Sequence, residues 1–377
     1  MSVGTNGHDD PGSWELEINP AGCDRLEEEP RIFSLQPGQF GGTLSWYASP
    51  KGDRAHTDGI MADDAAWVLE RCARDRSRPF FLAVGFFRPH TPYVAPKTPY
   101  FAMYPEAEMP LVTDVAEDQQ DIPKAALGSR KAEQDAMTDA QRRQAQQAYR
   151  ASISFLDAQV GRVLDALDKN GLAESTIVVF TSDHGYHMGE HGLYQKMSLF
   201  EESARVPLLI TAPGRCQAGG VAKAPVSQVD LFPTLADLCG VESPGNLQGQ
   251  SLVPLLADPA TPGRGWAVTQ VVRNARVGGL ARTSDPVANG KSPVFGYSLR
   301  TPRYRYTEWN EGREGRELYD HDVDPKELTN LAAVPAHAST VAELSQQLAA
   351  AVKTTLPADG TVPEIKPGLW SPNLTNP

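Results

Sequence analysis

Asp183 and His184 stand directly after an apolar run, Thr176-Ile177-Val178-Val179-Phe180-Thr181-Ser182, and directly before Gly185. An acid at the end of an interior β segment is costly if it stays unpaired, and a metal ion or a cationic partner is the usual remedy. The pair reads as a metal site with one oxygen and one nitrogen ligand. The alternative is an Asp that caps the next turn beside a packed His. Ca²⁺ and Mg²⁺ prefer all-oxygen shells, whereas an imidazole suits Zn²⁺ or Mn²⁺, so the residue types leave the metal open. Downstream, Tyr186-His187-Met188-Gly189-Glu190-His191-Gly192-Leu193-Tyr194-Gln195-Lys196 can fold back over the strand ends. Lys196 could neutralise a tetrahedral oxyanion, or be a solvated surface lysine. His90 is held in Arg88-Pro89-His90-Thr91-Pro92, whose prolines restrict the backbone as a preorganised catalytic group requires. A lone histidine is also commonly structural.

These residues need a scaffold of buried strands. Asp58 to about Arg76 has apolar residues at three- and four-residue spacings and predicts a helix. Phe80 to Phe87 is an unbroken apolar run, expected as a strand buried on both faces of a mainly parallel sheet. Thr138 and Gln141 have the spacing of a capping box. Tyr149, Ile153, Leu156, Val160, Leu164 and Leu167 then form one helical stripe that Gly171 stops. Thr176 to Asp183 and Val206 to Thr211 are expected as further strands, which with the intervening helix predict a parallel α/β sheet. A helix from about Gln228 to Leu238 ends at Gly240. Beyond Trp266 the pattern alternates, with strands at 297–300, 304–309 and 317–320 and a last helix over 339–353. The expected division is an α/β domain over 1–265 and a smaller antiparallel α+β subdomain over 266–377. Residues 1–57 and 94–137 read as loop. In open α/β sheets, ligands bind beyond the carboxyl ends of the strands, where Asp183 and His90 fall.

The chain has 377 residues, 40% apolar and 22% charged, enough for a substantial core. Its net charge of −12 argues against sequence-independent nucleic-acid binding, which needs clustered Lys and Arg. It leaves anionic substrates open, because a few focused cations outweigh the global sign inside a pocket. No apolar run approaches the roughly 20 residues of a membrane-spanning helix. No two of Cys23, Cys72, Cys216 and Cys239 have C-x-x-C spacing, so a zinc ribbon is unsupported.

Taken in order, the Pro-His-Thr-Pro-Tyr after Phe80–Phe87, then Thr181-Ser182-Asp183-His184-Gly185, Gly189-Glu190-His191-Gly192 and Lys196 resemble the sulfatase family of the alkaline phosphatase superfamily. The string FTSDHGYHMGEHGLYQKMSLFEESARVPLLITAPG is similar to the second metal-binding block of iduronate-2-sulfatases. VSQVDLFPTLADLCGV and ELYDHDVDPKELTNLA resemble its later landmarks. The resemblance implies an alkaline-phosphatase-like fold and hydrolysis of sulfate esters, of sulfated uronic acids or other sulfated glycans, as in glycosaminoglycan degradation. It implies that Asp183 and His184 are ligands of a Ca²⁺ ion and that Lys196 and His90 contact the sulfate. His90 would also protonate the leaving alcohol. By position, Tyr186 and His187 would touch the sugar, and His191 would brace the Gly-rich loop. Relatives of this kind are usually periplasmic, secreted or lysosomal.

The family pattern also includes a strand ending in two Asp and a Cys-x-Pro-Ser-Arg motif whose Cys or Ser becomes the formylglycine nucleophile. None of the four cysteines stands in that motif. A covalent mechanism without its nucleophile loses its first step. The sequence is therefore expected to be an N-terminally truncated, inactive piece of marginal solubility. Two other readings remain: a phosphodiesterase or phosphonate hydrolase of the same superfamily, or a non-catalytic module binding sulfated glycans through Lys196, His90 and Arg88.

Overall fold

The computed structural model describes residues 12–113, 115–274 and 293–355. They form two compact units, one of 12–113 with 131–176, the other of 115–130 with 177–274 and 293–355. The division expected at 265/266 falls inside the second unit. The α/β class with a C-terminal antiparallel sheet is as expected.

In the first unit, the helix Thr57–Arg74 is started by a residue far away in sequence. Asp24 Oδ1 accepts the Thr57 amide and hydroxyl, both at 2.8 Å. A carboxylate at this end also complements the helix dipole, as Arg71 and Arg74 do at the other. The long helix Asp139–Lys169 opens on the expected capping box: Gln141 N donates to Thr138 Oγ1 at 3.3 Å and Thr138 N to Gln141 Oε1 at 2.9 Å. Its buried face is not the expected stripe. Ile153 and Leu164 are exposed, while Ala145, Ala148, Ala151, Ser152, Phe155 and Gln159 are buried. Small residues let neighbouring elements approach closely, and Phe155 fills the remaining space, edge-on to Tyr100 and His56 with centroids 5.5 Å away in each case. Burying such a ring contributes roughly 1.5–3 kcal/mol.

The parallel ladder of this unit joins two segments read as loop. Strand β1 (Phe33–Ser34) pairs antiparallel with β2 (Ser45–Ser49), and β2 pairs parallel with β3 (Tyr93–Pro96). The run Phe80–Phe87, expected as a buried strand, has no ladder partner among the described residues, and Phe81 is 72% exposed. An apolar run forms a strand only where a neighbour supplies hydrogen bonds. Its end is fixed by Asp58, whose carboxylate accepts the amides of Phe87 (2.8 Å) and Arg88 (2.9 Å), and near its start Phe81 meets the Trp14 ring at 5.7 Å.

In the second unit, β4 (Val178–Thr181) precedes the hairpin of β5 (His187–Met188) and β6 (Tyr194–Gln195), and β7 (Leu208–Thr211) returns beside β4. The β4–β7 pairing is antiparallel, not parallel as expected. Between them the chain has only the hairpin and short helical turns, no crossover helix to carry it back to the same end. Both strands are half-exposed, with Leu209 at 60%. The helix Leu231–Cys239 ends at Gly240 with φ 67°, the left-handed position that glycine adopts without strain.

Strands β8 (Ala267–Arg273), β9 (Val294–Arg300), β10 (Tyr304–Trp309) and β11 (Arg316–Asp320) form an antiparallel sheet in the order β11-β10-β9-β8. On one face Leu299, Tyr306 and Leu318 pack against Leu344, Leu348 and Ala351 of the helix Ala338–Lys353. On the other, Trp309 and Tyr319 pack with Ile122, Leu193, Leu199 and Phe200. That second cluster is the floor of the Gly-rich loop. Among the described residues no helix is long and apolar enough to cross a membrane.

Candidate functional site

The turn after β4 is closed by its own side chains. Ser182 Oγ donates to the His184 carbonyl (2.9 Å), and the His184 amide donates to Asp183 Oδ1 (3.1 Å). His184 Nε2 lies 3.3 Å from Asp183 Oδ2, while its Nδ1 is 2.8 Å from the Gly185 carbonyl and donates to it. In a neutral ring that bond leaves Nε2 unprotonated, as a metal ligand must be. The Asp183 side chain is 82% exposed. Gln228 Nε2 steadies the turn from outside by donating to the Ser182 carbonyl at 2.5 Å.

Gly185 is required where it stands. A Cβ there would land on the Glu202 carbonyl oxygen and 2.7 Å from that of Arg205. The backbone instead uses this contact: Gly185 N donates to Ser203 O (2.8 Å) and Tyr186 N to Glu202 O (2.5 Å). The hairpin then pairs His187 with Gln195, so the next positions outward in that register are Tyr186 and Lys196. Lys196 is half-buried. Burial lowers its pKa, and the nearby Asp183 carboxylate pulls the other way. The Asp183 carboxylate and the Lys196 ammonium thus act on each other electrostatically within one unit.

His187 is not available to a sugar in this conformation. It is 1% exposed, with Nε2 2.6 Å from Ser198 Oγ and its ring edge-on to Phe200. The sequence placed it by proximity to Asp183, but the hairpin turns its side chain into the floor. His191 has the bracing role expected of it. Its backbone is left-handed (φ 56°), its ring stacks on Phe200 at 3.9 Å, and Nδ1 donates to Asp118 Oδ2 at 3.0 Å. Asp118, 73 residues away in sequence, carried no local signal. Gln119 adds a bond from Nε2 to the His191 carbonyl (2.7 Å).

His90 belongs to the first unit. It is half-buried, with Nδ1 2.6 Å from the Thr91 carbonyl. Arg88, one of the residues suggested for glycan binding, is instead buried. Its Nη2 donates to Asp24 Oδ2 (2.6 Å) and its Nε to the Val94 carbonyl (2.6 Å), so its charge serves the fold.

Asp183 and His184 make a mixed donor pair, and among the described residues no third Cys, His, Asp or Glu ligand converges on them. A Ca²⁺ ion takes six to eight oxygen ligands. Two donors, one of them nitrogen, do not make that shell, so the pair alone supports no metal-dependent step.

Comparison with known proteins gives this arrangement a context. The sulfatase family profile matches residues 15–241. The chain is 32% identical over 301 residues to a sulfatase of Formosa agariphila, covering 78% of this chain and 54% of that protein. It is 32% identical to human iduronate 2-sulfatase, covering 67% and 56%. It is 34% identical to a choline-sulfatase of Rhizobium meliloti, covering 73% and 51%. The chain therefore spans about half the length of the curated relatives it matches. In structure it is similar to a phosphonate monoester hydrolase of Agrobacterium radiobacter, with TM-score 0.68 and 26% identity, covering 82% of this chain and 63% of that one. The profile takes in His90, the Asp183–His184 turn and Lys196 in one continuous match. With these residues in that order on an alkaline-phosphatase-like α/β scaffold, the chain belongs to the sulfatase family.

Proposed function

We propose that this chain carries the sulfate-contacting part of a sulfuric ester hydrolase that acts on sulfated carbohydrates. The observation that supports this best is the grouping of Asp183, His184 and the half-buried ammonium of Lys196 at the end of β4. In this reading Lys196 balances the charge that gathers on the sulfate as the S–O bond breaks. By the family resemblance Asp183 and His184 would offer one oxygen and one nitrogen donor to a divalent ion, Ca²⁺ in the family, though the two alone do not make its shell. Tyr186 lies beside Lys196 in the hairpin register and contacts the sugar. The similarity to human iduronate 2-sulfatase favours a sulfated uronic acid.

The nucleophile is not among the four cysteines of this sequence, none of which precedes Pro-Ser-Arg in the family spacing. The test is therefore binding. Calorimetry with a 2-O-sulfated uronate disaccharide and its unsulfated counterpart should show affinity only for the former, weakened at least about tenfold in Lys196→Ala. Equal affinity for both sugars would defeat the proposal.

The likeness to a phosphonate monoester hydrolase supports a second reading, with a phosphonate or phosphate ester as ligand. Competition between a sulfate monoester and a phosphonate monoester for the same Lys196-dependent site separates the two.

A further inference from the structure

Away from this site, three side chains of the first unit point at one another in a closed interior. Cys23, Glu28 and His56 are 5%, 1% and 0% exposed. Glu28 Oε2 lies 3.7 Å from Cys23 Sγ and 3.8 Å from His56 Nε2, and all three ligand atoms lie within 4.8 Å of one another. A tetrahedral ion with bonds of about 2.0–2.3 Å to nitrogen, oxygen and sulfur needs ligand atoms about 3.3–3.8 Å apart. The Glu28–Cys23 edge has that length, and the Glu28–His56 edge is about half an ångström longer than an oxygen–nitrogen pair needs, a gap that a small side-chain shift closes.

The orientation of each donor is fixed from behind. His56 Nδ1 donates to the Gly52 carbonyl at 3.0 Å, which leaves the lone pair on Nε2 facing the group. That Nε2 is fully buried and has no hydrogen-bond partner. An orphaned buried acceptor costs about 1–3 kcal/mol. Glu28 Oε1 is occupied by the Ser49 hydroxyl at 2.7 Å, which turns Oε2 inward. No Lys or Arg lies within ion-pair distance of Glu28 among the described residues, so the carboxylate has no fixed cation of its own. Second-side hydrogen bonds to a ligating His and carboxylate are the usual support of metal sites.

We propose that Cys23, Glu28 and His56 bind a divalent ion of borderline softness, Zn²⁺ in class, as a structural centre of the first unit. The thiol proton leaves to solvent as the metal–sulfur bond forms. Thiolate and carboxylate then balance the two positive charges of the ion, which removes the burial penalty of an unpaired charge. Three protein donors leave the fourth tetrahedral position to a water. The ion would tie the short helix Cys23–Leu26 to the start of the helix Thr57–Arg74. The centre is independent of the sulfatase reading: Asp183 and His184 offer no sulfur.

The test is Co²⁺ uptake by the chelator-stripped full chain. One equivalent should bind with a thiolate-to-cobalt charge-transfer absorption, and Zn²⁺ should abolish it. The absorption should vanish in Cys23→Ser. Ser49→Ala, outside the ligand set, should keep the band but weaken binding about 10- to 100-fold. A wild-type chain that takes up Co²⁺ without the sulfur band, or none at all, overturns the proposal whether or not the variants fold. So does a band that persists in Cys23→Ser, since it would arise from Cys72, Cys216 or Cys239.

Discussion

The rings of His187 and His191 lie 5.9 Å apart at 75°, and their surroundings drive the two imidazoles to opposite protonation states. Burial pushes His187 down to about 4, against the pull of Glu202, and the charge on His191 pushes the same way as burial. Burial acts on His191 too, but the hydrogen bond to Asp118 and the charges of Asp118 and Glu202 overcome it and raise the group to about 10. At neutral pH the Gly-rich loop therefore stands on one imidazolium between two carboxylates, with a neutral imidazole beside it.

That pair sets a pH window for stability. Both histidines titrate near 6.5 when unfolded. The His191 contribution is whole below about 6.5 and is lost as pH rises toward about 10. The His187 contribution is whole above about 6.5 and is lost as pH falls toward about 4. Urea midpoints measured from pH 4 to 10 should peak between these limbs. His191→Gln should destabilise by about 2–3 kcal/mol at pH 6.5, because it leaves the Asp118 and Glu202 carboxylates without their shared cation, and should flatten the limb above pH 7. Glu317, pushed up to about 7 by burial and partly held down by the His191 charge, adds its own loss as pH rises from the ordinary carboxylate range to about 7, and removing His191 should push it up further. An unchanged alkaline limb in His191→Gln would mean that His191 is neutral in the folded chain.

Two glycines should respond to alanine in opposite directions. Gly161 lies inside the helix Asp139–Lys169 with no heavy atom within 4 Å of where a methyl would stand, so Gly161→Ala should stabilise by about 0.5–1 kcal/mol. Gly185 is walled by backbone carbonyls of Glu202 and Arg205. Gly185→Ala must push the turn off that wall and break the bonds from Gly185 N and Tyr186 N. It should destabilise by more than about 2 kcal/mol and speed amide exchange at residues 184–186. A neutral Gly185→Ala would show that the turn after β4 is not held as described.

What the sequence made legible was local. Thr138 and Gln141 announce a cap because both partners lie within one turn. Gly240 stops a helix because the left-handed position follows it directly. Leu299, Tyr306 and Leu318 stand opposite one another in the register, on the face that the last helix covers. Asp183 and His184 are neighbours in sequence at one strand end, which is why their pairing could be read locally. Phe80–Phe87 misleads because hydrophobicity reports a tendency to burial and carries no information on whether a neighbouring strand exists. Ser45–Ser49 escapes notice because its polar ends look like loop, although β3 supplies its ladder. Pairs such as Asp24 with Arg88 and Asp118 with His191 join residues far apart in sequence, and composition cannot announce them.

The unladdered run leaves a measurable trace. Phe81 is 72% exposed and Leu209 60%, each on an apolar segment with a solvent-facing side. Such surface drives association. Static light scattering should show mass rising with concentration. Phe81→Asp and Leu209→Asp should each reduce that rise with little change in the urea midpoint, since neither side chain is buried. A concentration-independent monomer mass for the unmodified chain would contradict this.

Lys196 offers the most direct probe of the candidate site. Its ammonium is lowered from the ordinary lysine value by burial, and Asp183 opposes that drop. Removing the carboxylate charge removes the opposition, so Asp183→Asn should lower the Lys196 pKa further. A sulfate ester seated on the ammonium should raise it, for the same reason that Asp183 does. Both shifts are readable by titrating the ¹³C-dimethylated lysine in NMR, with Lys196→Arg identifying the resonance. If Asp183→Asn leaves the titration where it was, the two groups do not share one electrostatic site, and neither could act on a single anion.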